Sequence, residues 1–242
     1  MIEIIRLVKK FGDLTAVDGV DLVIRKGEFF AALGPNAAGK TTTIKILAGL
    51  IKPTSGAAKI CGFDIQAQSM EARKRLAYVP DFPFLYDKLT PAEFLRFTGH
   101  LFQMNEAKIR SNSLELVERF SLGDFMARPI EGLSHGTRQR VAIVSALLHD
   151  PEVFILDEPM VGLDPHHARV LKDVLKERSV GGTTIFISTH QLGVAEEMAD
   201  RIGIIHQGRL IAVGTREELR TQSGASGPLE QSFLALTAPQ NP

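Results

Sequence analysis

Cysteine, net charge and long apolar runs are what this sequence has least of, and each shortage excludes a class of protein. A single cysteine, Cys61, among 242 residues cannot close an internal disulfide, and it falls short of the several Cys or His ligands that zinc sites use. That usage fits a reducing compartment, with Cys61 read as a small buried apolar residue. Lys plus Arg (28) equals Asp plus Glu (28), so there is no bulk field to hold nucleic acid or acidic lipid. Residues 1–10 are interrupted by Glu3 and Arg6 before an apolar core of signal-peptide length accumulates, and they read as a first strand. The longest apolar runs, 141–148 and 153–156, fall far short of the ~20 residues that a membrane-spanning helix needs. The expectation is a soluble chain that can still dock on a membrane protein. There is no internal repeat and no long low-complexity tract.

What is present is an ordinary globular composition, 44% hydrophobic and 23% charged, which excludes disorder as a whole-chain reading. Residues 2–8 and 17–24 alternate apolar and polar positions around Phe11-Gly12-Asp13, the pattern of two antiparallel strands and a turn. A third strand is predicted at 29–33. After a glycine loop, Ile44, Leu47, Ala48 and Ile51 recur at helical spacing. Residues 57–60 and 76–79 are short strand candidates, and 71–75 reads as a solvated helix face. Residues 91–120 carry two helical patterns, with Phe94, Phe97 and Leu101 on one face of the first. Buried-strand runs return at 153–156, 183–188 and 202–205. The resulting expectation is an α/β core with an antiparallel β subdomain, residues 1–86 and 151–222. It is interrupted by an α-helical subdomain, 87–150, and followed by a tail, 223–242. That tail has a Ser/Gly-rich start, a short helix at 229–236 and a mobile Pro-ended terminus.

Gly34-x4-Gly39-Lys40-Thr41 satisfies the P-loop pattern. Backbone amides of Gly34, Pro35-Asn36-Ala37-Ala38, Gly39 and the following Lys40, Thr41 and Thr42 would surround phosphates, Lys40 would supply a point charge, and the Thr41 hydroxyl would face Mg²⁺. Proline contributes only its carbonyl to such a loop. Ala37 is the blemish, because a left-handed backbone there costs ~1–2 kcal/mol relative to glycine. Val153-Phe154-Ile155-Leu156 ends in Asp157 and Glu158, one carboxylate for the metal and one to orient or deprotonate an attacking water. At Leu133-Ser134-His135-Gly136-Thr137, a serine introduces a helix. It is a natural N-cap, a helix start of this kind also accepts phosphate, and spacing alone leaves both roles open.

The ordered set GPNAAGKTT, YVPD (78–81), LSHGT (133–137), VFILDEP (153–159), GLD (162–164) and STH (188–190) resembles the ATPase subunit of an ABC transporter, over residues 11 to about 219. The resemblance implies a P-loop NTPase core of the ABC ATPase fold, with ATP and Mg²⁺ as ligands. It implies that Phe11 stacks on adenine and that Ser134 and Gly136, with His135 and Thr137 beside them, meet the γ-phosphate of ATP held by a second subunit. Asp164 then lies in the loop joining the two sites of a head-to-tail dimer, of the same or a paralogous chain, and His190 matches the switch histidine that contacts the γ-phosphate and Glu158. Taken as residues alone, Phe11 is equally a turn aromatic, and a lone strand-ending histidine is more often structural.

Three departures stand out. Asp81 occupies the place of a glutamine that touches Mg²⁺, and His135 and Thr137 replace the signature's glycine and glutamine. Aromatics at Phe82, Phe84 and Tyr86 fit either a groove for a membrane subunit or core packing. His166-His167 is a poor metal pair, since adjacent helical side chains diverge.

The expected function is ATP hydrolysis driving a separate membrane-spanning subunit from the cytoplasmic face. The ending Leu229-Glu230-Gln231-Ser232-Phe233-Leu234 is similar to exporter-type subunits. The alternatives are a soluble relative acting on ribosomes or chromosomes, or a regulatory subunit with weak turnover. No nucleic-acid partner is expected.

Overall fold

The computed structural model describes residues 1–224 and 227–237. The predicted mobile terminus lies outside these described residues beyond 237, as do two positions of the Ser/Gly-rich stretch.

Two sheets organise the chain. The first is antiparallel, in the order β2-β1-β4-β5, with β1 at Ile2–Phe11, β2 at Leu14–Ile24, β4 at Ser55–Ile60 and β5 at Phe63–Asp64. Alternation along β1 and β2 puts Ile2, Ile4, Leu7, Val17, Val20 and Ile24 inside. Both strands run further than the alternating pattern predicts, so the turn narrows to Gly12-Asp13, with Phe11 paired to Leu14.

The second sheet has the order β10-β9-β3-β8-β7-β6. Its strands are β3 (Phe29–Leu33), β6 (Leu76–Val79), β7 (Val153–Asp157), β8 (Thr184–Thr189), β9 (Arg201–His206) and β10 (Arg209–Gly214). β6, β7, β8, β3 and β9 are parallel neighbours, and β10 closes the edge antiparallel. β3, β7 and β8 are buried along their whole length, as expected for a parallel sheet covered on both faces. Phe30 and Phe186 lock adjacent strands with ring centroids 5.5 Å apart. Burying each such ring contributes about 1.5–3 kcal/mol.

This topology positions the site. Parallel strands deliver their C-terminal ends to one edge of the sheet, where ligands of open α/β sheets bind. The register sets Leu33 beside Thr189 and Asp157 beside Ser188. The glycine loop, the acidic pair and His190 therefore emerge side by side.

Helix α1 (Lys40–Leu47) follows the glycine loop, and Ile51 lies beyond its end. α2 (Ser69–Lys74) precedes β6. Between β6 and β7 come α3 (Pro91–Leu101), α4 (Glu106–Arg119) and α5 (His135–Leu147), with no strand among them. α3 begins with a capping box of Thr90 and Glu93 and a proline in its first turn. Its expected apolar face is only partly core: Phe94 and Leu95 are buried, whereas Phe97 and Leu101 face outward. α6 (Pro165–Val180) and α7 (Leu192–Met198) complete the covering of the sheet, and α8 (Arg216–Ser223) and α9 (Leu229–Thr237) pack on each other and on β10. Cys61 is half-buried rather than buried, and partial desolvation pushes its thiol up to about 11. Among the described residues no helix is long and apolar enough to cross a membrane.

Candidate functional site

The glycine loop is shaped by what its glycines leave out. A Cβ on Gly34 would lie 2.2 Å from the carbonyl of Ile205, and one on Gly39 would lie 2.5 Å from that of Ala16. The loop can therefore press against β9 and β2 only without side chains there. Gly39 caps α1 in a left-handed conformation, φ 106°, and offers the first amides of the helix no side-chain acceptor. Those amides carry the positive end of the helix and are available to an anion. Ala37 is left-handed too, φ 62°, which is the strained state its position implies. Lys40 is buried and folds over its own loop, donating to the carbonyls of Gly34 at 2.6 Å and Pro35 at 3.0 Å. Burial pulls its pKa down, and the carboxylates of Glu158 and Asp157 partly restore it.

The acidic pair closes the site opposite the loop. Ser188, on β8, serves both residues: its hydroxyl donates to Asp157 Oδ1 and accepts from the Glu158 amide at 3.2 Å. The Glu158 backbone turns left-handed, φ 47°, at the end of β7. That turn carries its carboxylate towards two side-chain nitrogens, Oε1 at 3.8 Å from Lys40 Nζ and Oε2 at 3.0 Å from His190 Nδ1. Both Glu158 oxygens are buried, and neither is satisfied by a well-aligned hydrogen bond. A buried carboxylate oxygen left short of a donor is poised to take one from a ligand or water. Asp81 joins this cluster; partial burial pushes its pKa up, Asp157 and Glu158 push it further, and His135 and His190 oppose them.

Together Phe11, Asn36, Ala37, Ala38, Gly39, Lys40, Thr41, Thr42, Asp81 and Glu158 line one cavity of about 300 Å³. Leu14 and Ala16 line it as well. They were not legible as site residues, although the Phe11–Leu14 strand pair would have placed Leu14 beside the candidate stacking ring. Ser188 is a second omission: it sits in the STH run, but its role depends on Asp157, a strand neighbour 31 residues away.

The chemistry of the donors bears on a metal. The Thr41 hydroxyl and the carboxylates of Asp157 and Asp81 are hard oxygen ligands. Among the described residues no cluster of three or more His, Cys, Asp or Glu side chains could hold a metal ion by itself. Such a set fits Mg²⁺, which keeps few protein ligands and completes its shell with water and phosphate oxygens.

Ser134, His135, Gly136, Thr137 and Asp164 are brought to a second face and do not line the cavity. Ser134 caps α5, accepting from the Thr137 amide at 3.3 Å. Asp164 caps α6, and hydrogen bonds from the His167 amide and ring hold its carboxyl at about 2. The two tips touch: a Cβ on Gly136 would lie 2.6 Å from the Gly162 carbonyl, and one on Gly162 would lie 2.3 Å from the His135 ring. His135 also packs against Phe82, ring centroids 5.6 Å apart.

Comparison with known proteins identifies the family and the fold. The family model for ABC transporters matches residues 17–161. The chain is 36% identical over 240 residues to the "Probable multidrug ABC transporter ATP-binding protein YbhF" of Escherichia coli, covering 98% of this chain and 41% of that protein. The chain thus spans about two-fifths of that relative's length. It is also 36% identical to the daunorubicin/doxorubicin resistance ATP-binding protein DrrA of Streptomyces peucetius, over 93% of this chain and 68% of that one. Among solved structures, the ATP-binding subunit of an ABC transporter superposes with a TM-score of 0.93 at 34% identity, over 98% of this chain and 99% of that one. A dimeric post-hydrolysis ATP-binding cassette bound to ADP and Pi superposes with a TM-score of 0.81 at 27% identity, over 89% and 98%. With its glycine loop and acidic strand end on the ABC ATPase fold, the chain belongs to the ABC transporter family.

Proposed function

We propose that this chain binds ATP with Mg²⁺ in the cavity between its glycine loop and β7, and hydrolyses it when a second such chain closes head to tail over the nucleotide. The cycle drives a separate membrane-spanning subunit, of exporter type, from the cytoplasmic face of the membrane. The observation that carries this reading is the buried Glu158 carboxylate set between Lys40 and His190 at the mouth of the loop.

Each residue has a task in that scheme. Phe11 and Leu14 form an apolar shelf for the base, and the amides that open α1 take the phosphates. Lys40 is already desolvated, so its charge acts on the triphosphate with little screening from water. Glu158 accepts the proton of the attacking water, and His190 orients that carboxylate. Thr41, Asp157 and Asp81 would hold Mg²⁺, which neutralises charge on the β- and γ-phosphates when bound. Ser134, Gly136 and their neighbours, with Asp164, complete the partner's site rather than their own. Residues 87–150 act as a helical subdomain that carries this second face on a core of 1–86 and 151–222.

A groove supports the membrane subunit. A cavity of about 360 Å³ is lined by Leu76, Tyr78, Pro83, Phe84, Phe102 and His149 among others. Phe84 at its rim is 91% exposed, which decides for this ring against core packing. His149 stacks on Phe102 with centroids 3.6 Å apart, and burial pushes its pKa down to about 4, so it is a neutral floor at physiological pH. The names of the relatives, several given for drug resistance, support export.

Two measurements test the proposal. Phosphate release by the purified chain should be lost in Glu158→Gln. The tagged chain should bring down a multi-spanning protein from detergent-solubilised membranes; ribosomal or DNA cargo in its place overturns the transport reading. Absence of turnover even with the native membrane subunit would favour a regulatory role, to which the altered signature at His135 and Thr137 lends itself.

A further inference from the structure

The tips of α5 and α6 are joined by a chain of side chains with His167 in the middle. Arg140, buried on α5, donates Nη2 to Thr137 Oγ1 at 3.1 Å, and Thr137 Oγ1 lies 2.9 Å from Ser134 Oγ. The same guanidinium donates Nη1 to the carbonyls of Phe120 at 2.6 Å and Ser121 at 3.2 Å, and reaches His167 Nε2 at 2.9 Å. On its other side, His167 Nδ1 lies 2.6 Å from Asp164 Oδ2.

The chemistry of the neighbours assigns the ring. A guanidinium only donates and an ionised carboxylate only accepts. The pairing suits a ring that accepts at Nε2 and donates from Nδ1–H. Few side chains can satisfy a donor on one side and an acceptor on the other from a single helical position.

We propose that His167 is a positioning residue for the shared ATP site: it bridges Arg140 to Asp164 and so holds the Asp164 loop and the Ser134 helix tip at a fixed spacing, as one surface for the second subunit. This inference rests on the shared-site reading of Ser134 and Asp164. It concerns a tie within one chain, made by a residue outside the phosphate-binding motifs. The contacts of the His135 ring with Gly162 supply a second point of attachment between the same two tips.

The bridge is separable from simple capping. The Asp164 carboxylate also accepts from the His167 backbone amide at 3.0 Å, a bond that survives any side-chain change there. Loss of the ring thus spares the cap and removes the link to α5. The test uses the full chain in a Glu158→Gln background, with Mg-ATP-dependent dimerisation followed by light scattering over a concentration series. His167→Ala should raise the dimer dissociation constant about tenfold, the scale of a lost hydrogen bond to a charged group. His167→Lys should do at least as much, since it keeps a donor for Asp164 but repels Arg140. His167→Gln, with an acceptor and a donor, should restore most of the affinity. Equal dimerisation of all three and the parent overturns the bridge while leaving the shared site intact; a parent that stays monomeric overturns the shared-site reading and the bridge with it. Nitrogen NMR of histidine-labelled unsubstituted chain gives an independent check: the proposal requires His167 protonated at Nδ1 and bare at Nε2, and the opposite tautomer overturns it.

Discussion

α1 and α5 both begin at short, glycine-containing turns, and they begin differently. α1 opens from Gly39, left-handed and without a side chain, so its first amides meet no side-chain acceptor, and its first residue, the buried Lys40, lies 3.8 Å from the half-buried Glu158. α5 opens from Ser134 in extended backbone, and the serine oxygen already occupies the Thr137 amide. The first entrance is open, with glycine at its cap and no side chain on the amides that begin the helix. The second is a closed cap on an outer face, whose hydroxyl, small residues and tethered neighbours are arranged for something approaching from outside. On the proposed function, one chain holds reacting groups at one helix start and a contact surface at the other. Two copies facing each other would supply what each lacks.

The sharpest way to break this contrast is to remove the charge from the cradle. Lys40→Ala leaves the α1 amides and the helix dipole but no cation among them, and turnover should fall by at least ~10²–10³-fold, the scale of losing one strong electrostatic contributor. Steady-state phosphate release reads the effect, and wild-type rates would refute the cradle. Comparable in size, Glu158→Gln keeps the shape of the cluster while removing the group that accepts a proton. The rate constant for hydrolysis should drop by about 10²–10⁴-fold with ATP binding retained. The uncleaved nucleotide should hold two chains together, visible as an ATP-dependent doubling of mass in light scattering.

The same contrast explains which parts of the site could be read from the chain. The cradle and the acidic pair are local runs, residues 34–42 and 157–158, whose residue types and spacing point to their chemistry; the signature, 134–137, is local too, but spacing left capping and phosphate binding both open and only the family resemblance gave it a role. The bridge through His167 is not local: Arg140 and His167 stand 27 positions apart and meet because α5 and α6 pack tip to tip. Nothing in the run GLDPHH states which way that second histidine points, and its neighbour made it look like half of a failed metal pair. The same limit applied to the fold. β3, β6 and β7 announced themselves by apolar runs, whereas β10 and α8 passed unread. α8 buries only Leu219 and so lacks an apolar stripe, although its capping box of Thr215 and Glu218 is a local sign of a helix start.

Asp81 allows the electrostatics of the cradle to be tested with Lys40 and Glu158 left in place. Its pKa lies above 3.8 through burial and the nearby Asp157 and Glu158 carboxylates. A raised carboxyl is neutral and costs nothing below its unfolded value, and the folded state loses stability as pH climbs through the folded value. Asp81→Asn should therefore raise the melting temperature of the nucleotide-free chain near neutral pH, with the gain shrinking towards pH ~4. Mg²⁺ with ATP should reverse the order: wild type should gain more thermal stability than the variant, because the same carboxylate then faces a dication. A variant that gains as much as wild type would remove Asp81 from the metal's surroundings.

The smallest effect concerns the one side chain that the cradle retains at a left-handed position. At φ 62°, Ala37 carries a backbone cost of ~1–2 kcal/mol that glycine would not. Ala37→Gly removes that cost but gives the unfolded chain more freedom, worth ~0.4–1 kcal/mol in the opposite direction. The difference, ~0.5–1 kcal/mol of added stability, should appear as a higher urea midpoint with an unchanged slope. At Gly39 the converse exchange has no comparable tolerance, because a Cβ there would meet the Ala16 carbonyl at 2.5 Å. Neighbouring positions of one loop thus differ in what demands glycine: at Ala37 it is dihedral preference alone, and at Gly39 it is dihedral and space together. A destabilised Ala37→Gly chain would mean that the alanine methyl makes contacts worth more than its strain, and the cradle would then be shaped by that side chain as well as by the ones it omits.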